Sequence, residues 1–209
     1  MAEFSKGILG GFSGKVGTVV GANWRGKDIM RSLPTKKKRE ATPAQSAQRA
    51  KFKLVVGFMS PLRAITSKYF GEYQGTKSRT DLSVSHQLME AVVDNNGAFE
   101  LDYSKVVITK GVLPSVLIQS SAIENNELKL TWASNAGTGL AKATDKIMVV
   151  VYSQSNAMFY VIDEGATRDA GTLTAAIPNG WTAADNSVWL CFVDEDGKYC
   201  STSEYLGEL

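Results

Sequence analysis

The 209-residue sequence has few of the residues from which enzymes build acid–base and metal sites: one histidine and two cysteines. A serine-type catalytic triad and most zinc sites need histidine, so each would have to use His86. This residue lies inside a predicted helix, with no cysteine nearby and no Glu-x-x pattern before it, which favours an ordinary, partly exposed histidine. We therefore expect no enzyme activity, and no catalytic, cofactor-binding or metal-binding residue.

Long apolar runs are also missing. The longest, Ile147 to Tyr152, is far shorter than a membrane span. The N-terminal apolar stretch is interrupted by Lys15 and carries Glu3 where a signal peptide would be basic. Because we find neither a signal peptide nor a transmembrane segment, we expect the protein to be cytoplasmic or to lie within a particle, without a membrane partner.

Two cysteines are too few for a disulfide framework. Cys191 and Cys200 flank a predicted turn, which would place them opposite each other on neighbouring strands. They could form a disulfide in an oxidising compartment. Since the sequence shows no export signal, we expect free thiols packed in or on the sheet.

Acidic residues are scarce in the first half of the chain and basic residues in the second. Residues 1–110 contain 18 Lys and Arg against 9 Asp and Glu, a net charge of +9, whereas residues 111–209 contain 5 against 12, a net charge of −7. Such a basic half would attract nucleic acid or the acidic half of a neighbouring copy, or would form a solvated arm. The predicted polyanion or partner contacts are the basic residues Lys36, Lys37, Lys38, Arg39, Arg49, Lys51 and Lys53.

The first half predicts a Gly-rich β-hairpin followed by helices. Val16 to Trp24 and Asp28 to Leu33 are strand-like and are separated by a turn that contains Gly26. Thr42-Pro43 is typical of a helix start, and Ser60-Pro61 should kink or restart that helix. Apolar spacing predicts a second helix over about Asp81 to Asp94, ended by Asn95-Asn96-Gly97.

The second half changes to a two-residue period. After Phe99 to Lys110, seven further short strands follow with turn residues between them, and this spacing predicts an antiparallel β-sandwich of the immunoglobulin or fibronectin type III kind. Trp132 should lie in its core with Val149, Val151, Leu190 and Phe192. The predicted fold class is α+β, with a basic part over residues 1–110 and an acidic sandwich over residues 111–209. The seven strands are predicted at residues 116–122, 127–133, 146–153, 158–163, 172–177, 187–193 and 198–206.

Three motifs suggest chemistry but are incomplete. Gly10 to Lys15 lacks the first glycine and the magnesium-binding hydroxyl of a phosphate-binding loop. Asp194 to Gly197 lacks the closing acidic ligand of a calcium loop, so a hairpin turn explains it. Lys68 to Arg79 alternates aromatic and basic residues, as single-strand nucleic-acid binders do, but aromatic residues at a helix end more often cover a core edge.

Several segments together carry a resemblance that covers nearly the whole chain. They lie at residues 7–21 (GILGGFSGKVGTVVG), 24–26, 30–34, 42–52, 102–106 and 141–146. On these segments the sequence resembles an uncharacterised bacterial family of unknown function, of similar length, found chiefly in Gram-negative gut and environmental bacteria. The family implies no activity, cofactor or site residue. Met30 to Phe52 alone also resembles an element of small phage or prophage structural proteins.

The sequence therefore favours a non-enzymatic structural or interaction protein that assembles with other copies or within a larger particle, such as a phage-like one. Opposite charges on the two halves would favour head-to-tail or swapped contacts. The segment Lys6 to Pro34 is too rich in glycine to stand alone, and we expect it to complete a neighbouring sheet. The alternative is a nucleic-acid-binding protein that uses the basic segment 24–53.

Overall fold

The computed structural model describes residues 3–4, 10–34, 40–163, 165–181 and 185–209. The chain divides into two compact units, Met1–Pro43 and Ala44–Leu209. The fold is α+β, with three helices and several antiparallel sheets in the part of the chain that is described, and it is built mostly of strands.

The first unit is a four-stranded antiparallel sheet, in which the strands follow one another in chain order. The predicted hairpin is confirmed: β3 and β4 pair from Trp24↔Lys27 onward, around a two-residue turn. Both turn residues, Arg25 and Gly26, have positive φ values (52° and 80°), as in the turns whose twist matches that of paired strands. Val16 belongs to a separate strand. The strands are β1 (Glu3–Phe4), β2 (Phe12–Val16), β3 (Val19–Trp24) and β4 (Lys27–Ser32).

One glycine of this sheet lies against the neighbouring strand so closely that no side chain fits. Gly21 on β3 is the only buried residue within residues 10–34. A Cβ atom at this position would lie 2.6 Å from carbons of the Phe12 ring, which crosses over the glycine from β2. The Phe12 carbonyl oxygen lies nearer still, so any larger residue would have to displace both the aromatic ring and the backbone of β2.

The second unit begins with three helices: α1 (Pro43–Met59), α2 (Arg63–Tyr69) and α3 (Arg79–Glu90). The predicted interruption at Ser60-Pro61 separates α1 from α2. Ser78 caps α3 through a reciprocal pair of hydrogen bonds with Asp81: the Asp81 backbone N–H donates to Ser78 Oγ over 3.1 Å, and the Ser78 N–H donates to the Asp81 carboxylate over 3.0 Å. This arrangement satisfies two of the N–H groups that a helix start leaves without partners.

The predicted second helix is wrong in its last turn. The helix ends at Glu90, and Val92–Asn95 (β5) pairs with Ala98–Leu101 (β6) in a hairpin. Asn96 and Gly97 form its turn with φ values of 54° and 93°, a geometry for which Asn-Gly is the preferred pair. The strand predicted from Phe99 onward accordingly stops at Leu101.

Seven strands then form two antiparallel sheets, one with the order β11-β8-β7 and one with the order β10-β9-β12-β13. Six of the seven agree with the predicted bounds to within two residues. The last begins at Glu204 rather than Lys198, because Ser203 instead hydrogen-bonds Ile108 and Thr109. The strands are β7 (Leu117–Glu124), β8 (Glu127–Ala133), β9 (Lys146–Ser153), β10 (Met158–Ile162), β11 (Thr172–Ala176), β12 (Asn186–Val193) and β13 (Glu204–Glu208).

The five residues predicted to share a core, Trp132, Val149, Val151, Leu190 and Phe192, are buried in one cluster. Trp132 packs edge-on against Phe192, with ring centres 5.8 Å apart, and its indole N–H donates to the Arg168 carbonyl over 2.8 Å. The alternate residues Leu128 and Leu130 of β8 are fully buried in the same cluster, whereas their strand neighbours face outward.

A second core lies on the other face of the sheet with the order β10-β9-β12-β13. Val150 and Trp189 point away from the sandwich and pack with Val55 and Met59 of α1. Strands β9 and β12 are thus buried on both faces, which explains the apolar run that the sequence shows there. This core joins the helices to strands β9 and β12, which follow Lys110 in the chain. The boundary that the sequence predicts at Lys110 therefore falls inside the second unit.

Candidate functional site

The predicted basic contact residues do not form one continuous surface among those that the structure describes. Lys36, Lys37, Lys38 and Arg39 lie outside the described residues. Arg49, Lys51 and Lys53 are all on α1. Arg49 and Lys53 are four residues apart and line the same groove, whereas Lys51 Nζ lies 4.8 Å from the centre of the Phe99 ring. The helical period of 3.6 residues separates Lys51 from the other two.

The α1 groove is an apolar stripe with a basic flank. Phe52 and Val56, one helical turn apart, line it, and 51% of Phe52 is exposed. Arg49 and Lys53 border this stripe on the same helix face. Such an arrangement suits contact with another protein surface, because the aromatic ring supplies buried area and the cations supply orientation.

The N-terminal sheet exposes still more apolar surface. Five of its large side chains are exposed, among them Trp24 at 59% and Met30 at 69%. The strand register places Trp24 and Ile29 on one face and Gly21 and Met30 on the other, so both faces carry apolar groups. With one buried residue in residues 10–34, strands β2 to β4 have almost no core of their own. The exposed apolar side chains are Val16, Trp24, Ile29, Met30 and Leu33.

The basic and aromatic residues around the end of α2 surround a cavity of about 470 Å³. Lys68, Lys77 and Arg79 line it together with His86 of α3 and Lys110, a residue that the sequence did not connect with them. Burial and the neighbouring Lys110 lower the pKa of His86, and Glu90 and Gln87 oppose this shift. The imidazole is therefore neutral at pH 7.

Both cysteines are free and buried, as predicted. They do not lie opposite each other: Cys200 pairs with Val193 across the turn, and Cys191 pairs with Met148 on the neighbouring strand. Burial raises the pKa of Cys191 to about 12 and that of Cys200 to about 11. Both thiols are therefore protonated at neutral pH and are poor nucleophiles and metal ligands.

The two incomplete motifs have structural roles. Phe12 to Val16 of the glycine-rich segment is a strand that turns into another strand, so no helix N-terminus faces the glycines. Asp194 accepts backbone hydrogen bonds from Lys198 (2.6 Å) and Tyr199 (2.7 Å) and thereby closes a hairpin turn. Within the described residues no three His, Cys, Asp or Glu side chains come close enough to hold a metal ion.

A buried ion pair that no sequence pattern indicates joins two loops of the second unit. Arg168 and Asp145 are both fully buried, and Arg168 Nε lies 3.0 Å from the Asp145 carboxylate. Arg168 Nη1 also donates to the Pro114 carbonyl (3.1 Å) and to Asn135 Oδ1 (2.7 Å). Its guanidinium carbon lies 4.3 Å from the centre of the Phe192 ring. The arginine thus ties three loops to the core.

None of the described helices combines the length and the apolar character needed to cross a bilayer. No curated protein and no solved structure matches the chain. A family model described as "Family of unknown function (DUF6266)" matches residues 11–207. This match includes strands β2 to β4, the three helices and most of the remaining chain, and it confirms the resemblance seen in the sequence. The chain is a member of the DUF6266 family.

Proposed function

We propose that this protein is a non-enzymatic assembly protein whose N-terminal sheet packs against another copy of the chain. One observation carries the proposal: within residues 10–34 only Gly21 is buried, whereas five large apolar side chains are exposed. Soluble proteins seldom leave such a set uncovered, and a clustered apolar surface is typical of an interaction site.

The exposed apolar side chains of the sheet would by themselves stabilise only a weak contact between copies. Full burial of a large apolar side chain contributes about 1.5–3 kcal/mol, and these five are roughly half exposed, so covering them contributes about 1 kcal/mol each. Association costs about 4–15 kcal/mol. The sheet alone would therefore give weak binding, and the apolar stripe of α1, with Phe52 and Val56, is a second contribution that the chain offers.

Charge supports a contact between unlike parts of two copies. Residues 1–43 carry 9 Lys and Arg against 3 Asp and Glu, a net charge of +6, whereas residues 44–209 carry 14 against 18, a net charge of −4. Like charges would oppose the pairing of two N-terminal units. A head-to-tail contact brings opposite charges together, and it propagates from copy to copy unless a ring closes.

We further infer that the sandwich is of the fibronectin type III kind. The first, second and fifth of its strands form one sheet, and the third, fourth, sixth and seventh form the other, which supports this assignment. A sandwich of this kind presents its strand edges and loops to partners around a rigid core. Such a sandwich is compatible with an interaction module, and the fold alone does not identify a partner.

The native mass of the purified chain, measured by size-exclusion chromatography with light scattering, tests the proposal. We expect oligomers at low salt that become smaller as salt rises. The variant Trp24→Ser/Met30→Ser should shift the mass to that of the monomer. Its matched control, Thr18→Ser/Ser32→Ala, changes two exposed polar side chains of the same unit without removing apolar surface, and it should assemble as the wild type does.

Two outcomes would refute this function. One is a monomeric wild type at high concentration and low salt. The other is an oligomer that dissociates when nuclease removes bound nucleic acid, since the basic residues would then bind a polyanion rather than the acidic sandwich of another copy.

A further inference from the structure

We infer that the cavity bounded by α2, α3 and residues 110–112 and 198–200 is a binding site for a small organic phosphate with an apolar part. Its volume of about 470 Å³ lies in the range of small-molecule sites. The cavity lies entirely within the second unit, and the inference does not depend on the assembly that we propose for the N-terminal sheet.

The first argument is the charge of the lining. Lys68, Lys77, Arg79 and Lys110 line the cavity, and none of the four forms an ion pair with a carboxylate in the described part of the chain. The one acidic side chain of the lining is Glu72. Uncompensated cations around a concave, partly apolar surface attract anions more strongly than the same cations on a convex surface.

The second argument is a pair of nitrogen atoms without partners. Arg79 Nε and His86 Nδ1 are both buried, and neither has a hydrogen-bond partner among the described residues. Buried polar atoms are nearly always paired, so two unpaired ones in side chains that line the same cavity point to a ligand. Arg79 is held in place, because its Nη1 donates to the Lys68 carbonyl. The oxygens of a phosphate could accept from Arg79 and from a protonated His86.

The third argument concerns the apolar part of the ligand. Phe70 is buried at the cavity wall and meets the His86 ring edge-on, with ring centres 5.9 Å apart. Val112 and Tyr199 also line the cavity and are more than half exposed. A free inorganic ion would leave these groups in water, whereas an organic phosphate with a planar apolar part would cover them.

The only histidine of the chain allows the test to be made without resonance assignment, because His86 alone contributes imidazole signals to the proton NMR spectrum. The probes are ADP and pyrophosphate, with citrate and adenosine as comparisons. Lys110, Glu90 and Gln87 influence the pKa of His86. The other titratable groups named at this cavity are Lys68, Lys77, Arg79 and Cys200. Binding of an anion beside these cations should raise the pKa of His86, so that the imidazole takes up a proton when the complex forms.

We expect ADP and pyrophosphate to shift the His86 signals saturably, with ADP the tighter of the two. The variant Lys77→Met/Lys110→Met should bind ADP about tenfold more weakly. Lys142→Met, which removes an exposed lysine outside the cavity, is the control and should bind as the wild type does. Circular dichroism spectra that match the wild type would show that both variants are folded.

Several results would overturn the inference. They are no saturable shift with ADP, equal binding of adenosine and ADP, or equal affinity in the lysine variant and its control. Tighter binding of citrate than of either phosphate would also refute it, because the site would then select a carboxylate.

Discussion

Replacement of Arg168 by methionine should destabilise the second unit more than any change to a surface charge. The side chain is fully buried, and Arg168→Met removes the ion pair with Asp145, two hydrogen bonds to neighbouring loops and the contact with the Phe192 ring. Methionine fills much of the volume, so the main penalty is the carboxylate that is left buried without its cation. Breaking a buried pair in this way costs about 3–5 kcal/mol.

Urea unfolding followed by tryptophan fluorescence measures this cost. The matched control is Lys129→Met, which breaks an exposed pair with Glu124 and should leave the unfolding midpoint unchanged. The double variant Arg168→Met/Asp145→Leu should recover much of the loss, because no charge then remains buried. The reasoning fails if Arg168→Met and Lys129→Met unfold at the same urea concentration, or if the double variant is no more stable than Arg168→Met.

Two further predictions concern the N-terminal sheet and the thiols. Gly21→Val should disrupt the sheet, because its side chain would overlap the Phe12 ring. Gly17→Asn should be tolerated, because Gly17 has a positive φ of 58° and open space around it. Hydrogen exchange of β3 distinguishes the two variants, and equal protection in both would contradict the prediction. Cys191 and Cys200 should resist a thiol reagent at pH 8 and react in denaturant, since burial raises the pKa of each to about 11 or 12; rapid labelling of the folded protein would disprove this.

Most strands of the second half could be predicted from the sequence because they have distinct patterns. The bounds of β8 and β9 agree with the prediction at both ends. Along β8, apolar residues alternate with polar ones, and β9 is a continuous apolar run bounded by turn residues. The hairpin β3–β4 was equally clear, since Arg25-Gly26 separates two strand-like segments.

The end of α3 could not be predicted in the same way. Val92 and Val93 continue the apolar stripe of the helix and also suit a strand, so periodicity does not decide between the two structures. The Asn96-Gly97 turn, which pairs these residues with β6, was interpreted as the end of the helix. The predicted boundary near Lys110 likewise came from the change of period, and the core that joins α1 to β9 and β12 crosses it.

The candidate sites depend on contacts between distant parts of the chain. The sequence showed basic and aromatic residues between Lys68 and Arg79, but Lys110 and His86 join them only when α3 and the following loop pack beside α2. Arg168 and Asp145 lie in two loops that the folding of the sandwich brings together. No local pattern indicates such a pair, because each residue alone is typical of a solvated loop.

The central claim is that the N-terminal sheet is covered by another copy of the chain. Hydrogen exchange measured by mass spectrometry at several protein concentrations tests it most directly, with β9 as an internal reference because it is buried on both faces. The account predicts that protection of Val19 to Ser32 increases with concentration while that of β9 stays constant. Protection of Val19 to Ser32 that is the same at every concentration, in a protein of monomeric mass, would contradict the claim.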